Sequence, residues 1–90
     1  MARLIISETF RHSAGGAKEH QVPGDTVAAV LRAFLSRHPE LQARLLLADG
    51  RFGAHFLVYA NGRVVKTDSM ETQAVSESSE IKIYPVLAGG

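Results

Sequence analysis

The segment that follows Asp25-Thr26 carries the clearest structural signal in the chain. Its apolar residues recur at offsets 0, 3, 4, 7 and 8, which is one stripe of an amphipathic helix: Val27, Val30, Leu31, Phe34 and Leu35. Asp and Thr are good N-caps because their side-chain oxygens accept the free N–H groups of the first helical turn. Pro39 cannot continue the helix. One helix with one apolar stripe requires one sheet face to pack against.

Five segments are predicted to form strands: Arg3–Phe10, Lys18–Val22, Phe56–Ala60, Arg63–Lys66 and Glu80–Tyr84. The polar Lys18–Val22 fits an edge strand that returns after a hairpin turn at Ser13–Gly16. The apolar run Phe56–Ala60 predicts a buried central strand, and Asn61-Gly62 after it is a strong hairpin signal. Three leucines, Leu41, Leu45 and Leu46, indicate a further short helical turn, and the polar stretch 67–79 is expected to be irregular.

The predicted order is strand, strand, helix, strand, strand, strand. The first and last strands are the most hydrophobic terminal segments, so we expect them side by side in the centre of the sheet. This arrangement is an α+β β-grasp fold, with a mixed sheet of four to five strands crossed by one main helix. Residues 1–84 are expected to form the domain and residues 85–90 a flexible C-terminal tail.

Composition excludes several classes of protein. Ninety residues suffice for one domain, and ten Lys and Arg against nine Asp and Glu rule out a strongly basic nucleic-acid surface. Without cysteine there is no disulfide framework, thiolate zinc site, iron–sulfur cluster or cysteine nucleophile. The longest apolar run has five residues, too few to span a membrane, and the N-terminal segment lacks the apolar region of a secretory signal. We therefore expect a cytoplasmic protein that binds neither nucleic acid nor membrane.

The polar residues offer no catalytic or metal site. The four histidines, at positions 12, 20, 38 and 55, lack close ligand spacing and are expected to be surface or capping residues. Gly15-Gly16 is expected to be a turn, because no phosphate-loop pattern surrounds it. Asp25 and Glu80 are assigned to a helix cap and a strand flank, so they form no acid–base pair.

The segment from Pro85 to Gly90 is suited to chemistry in another protein. Proline donates no hydrogen bond, so regular strand pairing is expected to end at Pro85. A terminal carboxylate is ionised at pH 7 and a poor electrophile until it is activated, for instance as a mixed anhydride with AMP. Glycine allows close approach of the backbone to an active site because it has no Cβ. A frayed end without function is the alternative interpretation.

The helix that begins at Asp25-Thr26-Val27, the Asn61-Gly62 hairpin and the ending Ile83–Gly90 together resemble the ubiquitin-like sulfur carriers of the molybdopterin-synthase small-subunit and thiamine-sulfur-carrier type. The resemblance covers the whole chain. It implies that an E1-like adenylyltransferase uses ATP and Mg²⁺ to adenylate Gly90. A persulfide donor, a cysteine desulfurase or rhodanese-like protein, then gives a Gly90 thiocarboxylate, which supplies a sulfur-accepting synthase. The chain itself would be no enzyme and would bind no cofactor.

The same resemblance implies that the tail enters the partner's active site through four residues before Gly90: Gly89, Ala88, Leu87 and Val86. Tyr84 is the expected docking residue, with packing inside the domain as the alternative. The loop from Glu40 to His55 resembles that of carriers that feed amino-acid biosynthesis, whereas the segment 77–80 departs from the acidic turn common in the family. The acceptor therefore stays open among cysteine or homocysteine, thiazole, molybdopterin, tRNA and secondary-metabolite synthesis.

Two other functions use the same features. A protein modifier would join its activated Gly90 to lysine side chains, as ubiquitin does; ubiquitin has a basic residue where Ala88 stands here, which favours sulfur carriage. A β-grasp module that binds partners without covalent chemistry is the other alternative.

Overall fold

The computed structural model describes residues 1–86, which fold around one five-stranded mixed sheet. The strands are β1 (Ala2–Ile6), β2 (Glu19–Val22), β3 (Phe56–Ala60), β4 (Arg63–Val65) and β5 (Glu80–Pro85). The helices are α1 (Glu8–Arg11), α2 (Val27–Ser36) and α3 (Pro39–Leu45), with single 3₁₀ turns at His12–Ala14 and Thr67–Ser69. The strand order β2-β1-β5-β3-β4 confirms the predicted β-grasp arrangement.

The last strand lies at the centre of the sheet. β5 pairs in parallel with β1, with Leu4 opposite Ile81, and antiparallel with β3, with Val58 opposite Ile83. β2 and β4 form the two edges, each joined to its neighbour by an antiparallel pairing. The prediction that the first and last strands lie side by side is therefore confirmed.

Helix α2 supplies the layer that covers one face of the sheet. The Thr26 hydroxyl accepts a hydrogen bond from the Ala29 N–H at 3.1 Å, so Thr26 is the N-cap. All five residues of the predicted stripe are buried and share one core with the inward-facing strand residues. Pro39 is the first residue of α3. Leu41 and Leu45 of this helix are buried, which confirms the short helical segment that the leucine spacing predicted.

Two predictions about strands were wrong. The first strand ends at Ile6 instead of Phe10, because the apolar positions Ile6, Phe10 and Ala14 change from strand to helical spacing after Ser7. The connection to β2 is thus α1 and a 3₁₀ turn that Gly15 ends with φ 77°, a conformation glycine adopts without strain. β3 is an inner strand that is buried on one face only, since Leu57 is exposed.

Replacing Thr26 by alanine is expected to lower the free energy of unfolding by about 1 kcal/mol, the usual loss for an N-cap. The substitution removes the oxygen that accepts the Ala29 N–H but leaves the buried stripe of α2 in place. Urea denaturation followed by circular dichroism measures the change. Thr26→Ser keeps the acceptor and is the control; equal losses in both variants would show that the hydroxyl does not stabilise the helix.

Candidate functional site

The end of β5 is paired one residue further than the sequence predicts. Residue Pro85 stands opposite Phe56, and the Val86 N–H donates to the His55 carbonyl at 3.0 Å. The Ile83 carbonyl accepts from Ser7 on the β1 side, so by strand alternation Pro85 also faces that side, where β1 has already ended. Its missing N–H therefore costs no ladder hydrogen bond. The predicted loss of pairing at Pro85 was wrong for this reason.

An apolar patch lies on the sheet face opposite α2, beside the point where the chain leaves β5. We call it the outer-face patch; it consists of Leu57, Tyr59, Val64 and Tyr84. Tyr59 and Tyr84 pack edge to face with ring centroids 5.8 Å apart, and Leu57 stands directly opposite Tyr84 in the ladder. Leu57 is 42% exposed, Val64 52% and Tyr84 39%. Exposed apolar side chains grouped in this way are typical of a protein-binding surface.

The patch borders a shallow cavity of about 370 Å³, and Lys82 lines it together with Leu57, Tyr59, Gly62 and Tyr84. The Lys82 ammonium lies 3.6 Å from Glu80, which keeps a positive charge at the rim of an otherwise apolar surface. A partner that fits this surface would present an apolar side chain together with a hydrogen-bond acceptor.

The remainder of the same sheet face is ionic. The Arg3 guanidinium contacts Glu19 at 2.9 Å and Glu80 at 3.0 Å, and so joins β1 to both of its neighbours. The hydrogen bond between Arg3 and Glu19 raises the pKa of Arg3 and lowers the pKa of Glu19. The charges in these pairs compensate one another, whereas most of the apolar side chains of the outer-face patch are exposed to solvent. The two halves of the face therefore differ in their capacity to bind an apolar surface.

The structure describes two of the predicted site residues, Tyr84 and Val86. Tyr84 is half exposed on the outer-face patch while its ring also contacts Tyr59, so it packs partly inside the domain, and its role in docking stays a prediction. Val86 is exposed and lies directly after the last strand. The predicted residues Leu87, Ala88, Gly89 and Gly90 lie outside the described residues. The division into a domain over 1–84 and a tail over 85–90 stays a prediction.

Sequence reasoning missed the other members of the patch. Leu57, Tyr59 and Val64 were assigned to a buried strand and its returning partner. The signal that could have identified them is alternation: each lies on the face opposite the buried Val58, Ala60 and Val65. An exposed apolar residue at every second position of two paired strands indicates a surface with an external partner.

The histidines fall into two groups. His12 and His55 are exposed, as expected, whereas His20 and His38 are half-buried on either side of Phe34, with ring centroids 4.8 and 4.6 Å from it. Among residues 1–86, no three His, Asp or Glu side chains are grouped to hold a metal ion. In the same range each helix is too short or too polar to cross a lipid bilayer.

The domain with its central last strand and outer-face patch matches a known protein family. The model of the ThiS family matches residues 4–90. The chain belongs to the ThiS family. The resemblance to ubiquitin-like sulfur carriers that the sequence indicated is thereby confirmed.

Curated relatives of this ThiS-family chain include both carriers and modifiers. Small archaeal modifier protein 3 of Haloferax volcanii is 36% identical over 90 residues, which is 97% of this chain and 96% of the relative. The sulfur carrier protein CysO of Mycobacterium tuberculosis is 25% identical over 89 residues, with coverage of 97% and 96%. Family members are thus small carrier or modifier proteins.

Solved structures of ThiS-like proteins share the fold along the whole chain. A chain in the Amycolatopsis orientalis BexX/CysO complex superposes with a TM-score of 0.82 at 27% identity and covers 100% of both chains. SAMP1 from Haloferax volcanii superposes with a TM-score of 0.78 at 26% identity, with coverage of 99% and 98%. The β-grasp assignment is therefore confirmed by independent neighbours.

Proposed function

We propose that this ThiS-family protein is a sulfur carrier whose Gly90 carboxylate is adenylated by an E1-like enzyme and converted to a thiocarboxylate. The observation that carries the proposal is the match of the family model to residues 4–90, which includes the terminal Ala88-Gly89-Gly90. The described structure supports it because β5 holds the chain in the sheet up to Val86, which is exposed at one end of the domain.

In this proposal the Gly90 carboxylate is the group that reacts, and the partner enzymes catalyse every step. A Gly90 oxygen attacks the α-phosphorus of ATP, and pyrophosphate leaves. The sulfur of an enzyme persulfide then attacks the acyl adenylate and displaces AMP, which gives an acyl disulfide. A thiol of the partner enzyme attacks the cysteine sulfur of that acyl disulfide, which releases the thiocarboxylate and leaves a disulfide on the partner. The carrier has no cysteine, so sulfur can be held covalently only at its terminus.

The test is intact mass analysis of the full chain. The protein is incubated with the E1-like adenylyltransferase of the genome that encodes it, ATP, Mg²⁺ and sulfide. We expect the mass increase of one oxygen exchanged for sulfur, and tandem mass spectrometry should place it on Gly90. An unchanged mass with an adenylyltransferase that is active on another carrier would contradict the proposal.

The outer-face patch is proposed to dock the activating enzyme. Leu57→Glu is expected to lower kcat/KM for the carrier in ATP–pyrophosphate exchange by roughly 10-fold or more. The reason is that the new carboxylate would lose its water in the interface without gaining a cation, which strongly weakens binding. Leu57 is exposed, so the fold should survive.

Leu47→Glu is the matched control, because Leu47 is 43% exposed but belongs to the loop after α3. Both variants are first checked by circular dichroism and thermal unfolding. Equal activity of Leu57→Glu and wild type would show that the enzyme docks elsewhere.

The second candidate is a protein modifier, favoured by the 36% identity to small archaeal modifier protein 3. The activated carboxyl would then acylate a lysine amine, with AMP or an enzyme thiol as the leaving group. Digestion of cell extracts with trypsin and mass spectrometry distinguishes the two, since a modifier leaves C-terminal residues of this chain on substrate lysines. Finding such isopeptides and no thiocarboxylate would place modification first.

A further inference from the structure

Three segments meet at the end of the domain where Val86 leaves β5. The Ser7 N–H bonds to the Ile83 carbonyl at 3.2 Å, so the β1–β2 connection lies beside the exit of β5. Helix α2 ends there too, because the His38 ring lies 5.7 Å from the ring of His20 at the start of β2. Helix α3 packs against the same connection.

This end of the domain carries cations that lack a carboxylate partner among residues 1–86. We call Lys18, Arg37 and Arg44 the cationic exit surface. All three are exposed. Most cations elsewhere are paired, as in the contacts of Arg32 with Glu71 at 2.6 Å and of Arg51 with Asp49 at 2.7 Å, whereas Arg63 and Lys66 on and after β4 have no carboxylate partner among the described residues.

Acidic residues lie at both ends of the domain, but those near the exit are mostly paired. Three of them lie near the start of α2, where the segment from Thr67 to Val75 contacts the first turn: Asp25, Asp68 and Glu71. Near the exit, Glu8 is paired with Arg11 at 3.3 Å and Glu19, next to Lys18, with Arg3 at 2.9 Å, which leaves Glu40 as the acid at this end without a described partner. Burial, His20 and Arg37 also lower the pKa of His38, which agrees with a positive potential at this end.

Arg44 is positioned by two contacts within the domain. Its guanidinium lies over the Phe10 ring at 5.4 Å, and its Nη1 is 3.5 Å from the Ser13 hydroxyl. Stacking on an aromatic ring fixes a guanidinium but leaves its outward N–H groups free to donate. An acidic group that meets Arg44 therefore finds a donor whose conformational freedom is already reduced.

The short tail requires the exit end of the domain to lie close to the partner. Four residues come after Val86, and a fully extended chain of four residues spans at most about 14 Å. The domain itself measures 32 × 27 × 26 Å. The carboxyl of Gly90 can therefore enter a cleft only if the mouth of that cleft lies within about 14 Å of Val86, against the exit end.

We propose that the cationic exit surface docks on a rim of Asp and Glu side chains around the tail-accepting cleft of a protein partner. Contact removes water from Lys18, Arg37 and Arg44, and a cation that loses water without gaining an anion weakens binding. Asp and Glu side chains on the partner give these cations new anionic contacts and also accelerate association of the two proteins. The inference rests on the proposed function for the identity of the partner and on the described geometry for the surface.

The first test is ATP–pyrophosphate exchange with the E1-like adenylyltransferase of the same genome. Lys18→Glu/Arg37→Glu is expected to lower kcat/KM for the carrier about tenfold at low salt, and the difference should shrink as salt rises. The matched control compares two single variants that make the same change in charge, Arg37→Glu and Arg63→Glu. Arg63 is exposed, lacks a carboxylate partner among the described residues and stands opposite Ala60, at the end of β3 remote from Val86, so Arg63→Glu should lose less activity than Arg37→Glu at low salt.

Equal activities of Arg37→Glu and Arg63→Glu at every salt concentration would overturn the inference while the proposed function stands. Absence of exchange with wild-type carrier would instead refute the proposed function. A second experiment is independent of the enzyme: poly-L-glutamate is titrated into ¹⁵N-labelled protein, and we expect shifts at the amides of Lys18, Arg37 and Arg44. Shifts confined to other residues would overturn the surface.

A gel-shift assay with total tRNA at physiological salt separates a protein partner from RNA. We expect no complex under conditions in which the adenylyltransferase binds. A tRNA complex that Lys18→Glu/Arg37→Glu abolishes would assign the surface to RNA and overturn the proposal.

Discussion

Deletion of Gly90 is expected to abolish formation of the terminal thiocarboxylate. The truncated chain still ends in a glycine carboxylate, but Gly89 is one residue closer to β5, so it falls about 3.5 Å short of the reacting atoms in the partner. A displacement of 1 Å already reduces catalysis strongly, so the expected loss is at least about 100-fold. Intact mass analysis after incubation with the adenylyltransferase, ATP and sulfide measures it.

The stability of the deletion variant is the necessary control. The buried core involves residues up to Ile83, and the last described ladder hydrogen bond is that of Val86, so the urea midpoint should not change. A chain extended by one alanine after Gly90 is the matched second variant. It keeps both glycines but moves the carboxylate away and should be equally inactive. Sulfur on the truncated chain at the wild-type rate would contradict the assignment of Gly90.

Phe34→Ala is expected to reduce the free energy of unfolding by about 3–5 kcal/mol, the range for loss of a buried phenylalanine. Phe34 is fully buried in α2, and its ring contacts the imidazoles of His20 and His38 at 4.8 and 4.6 Å between centroids. Truncation therefore leaves a cavity between the helix and the edge strand β2. Chemical denaturation at constant protein concentration measures the loss.

The exposed Leu57 offers the matched control for this loss. Leu57→Ala removes apolar surface from the outer-face patch without opening a core cavity, so it should cost less than about 1 kcal/mol. The same variant should weaken the activating enzyme's binding, which Phe34→Ala in its folded form should not. A loss for Phe34→Ala as small as the loss expected for Leu57→Ala would show that the stability of the core does not depend on Phe34.

The sequence predicted the parts of the fold that local patterns determine. The stripe of α2, the cap at Thr26 and the hairpin at Asn61-Gly62 each result from spacing or turn chemistry, and Asn61 adopts φ 51° as that turn requires. The segment after Ile6 was mistaken for strand because Phe10 suits either structure. Only the packing of Phe10 and Ala14 in the core decides for a helix there.

Candidate site residues that are neighbours in the sequence were predictable, whereas those that only strand pairing brings together were not. The glycine ending and Tyr84 are visible in the sequence, because Tyr84 belongs to the last strand and the glycines follow it along the chain. The outer-face patch is not, since Leu57 and Val64 reach Tyr84 and Tyr59 only through the pairing of β3 with β5 and β4. The same holds for the cationic exit surface, whose members come from three separate segments.

The position of β5 also determines how the polypeptide can fold. Without Glu80–Pro85 the sheet separates into two antiparallel strand pairs, β1 with β2 and β3 with β4, that share no ladder hydrogen bonds. Closing the β1–β5 ladder brings Arg3 next to Glu80, a large separation in sequence that slows folding. Nascent or truncated molecules that lack this strand should therefore stay unfolded and open to proteolysis, so degradation would remove incomplete chains.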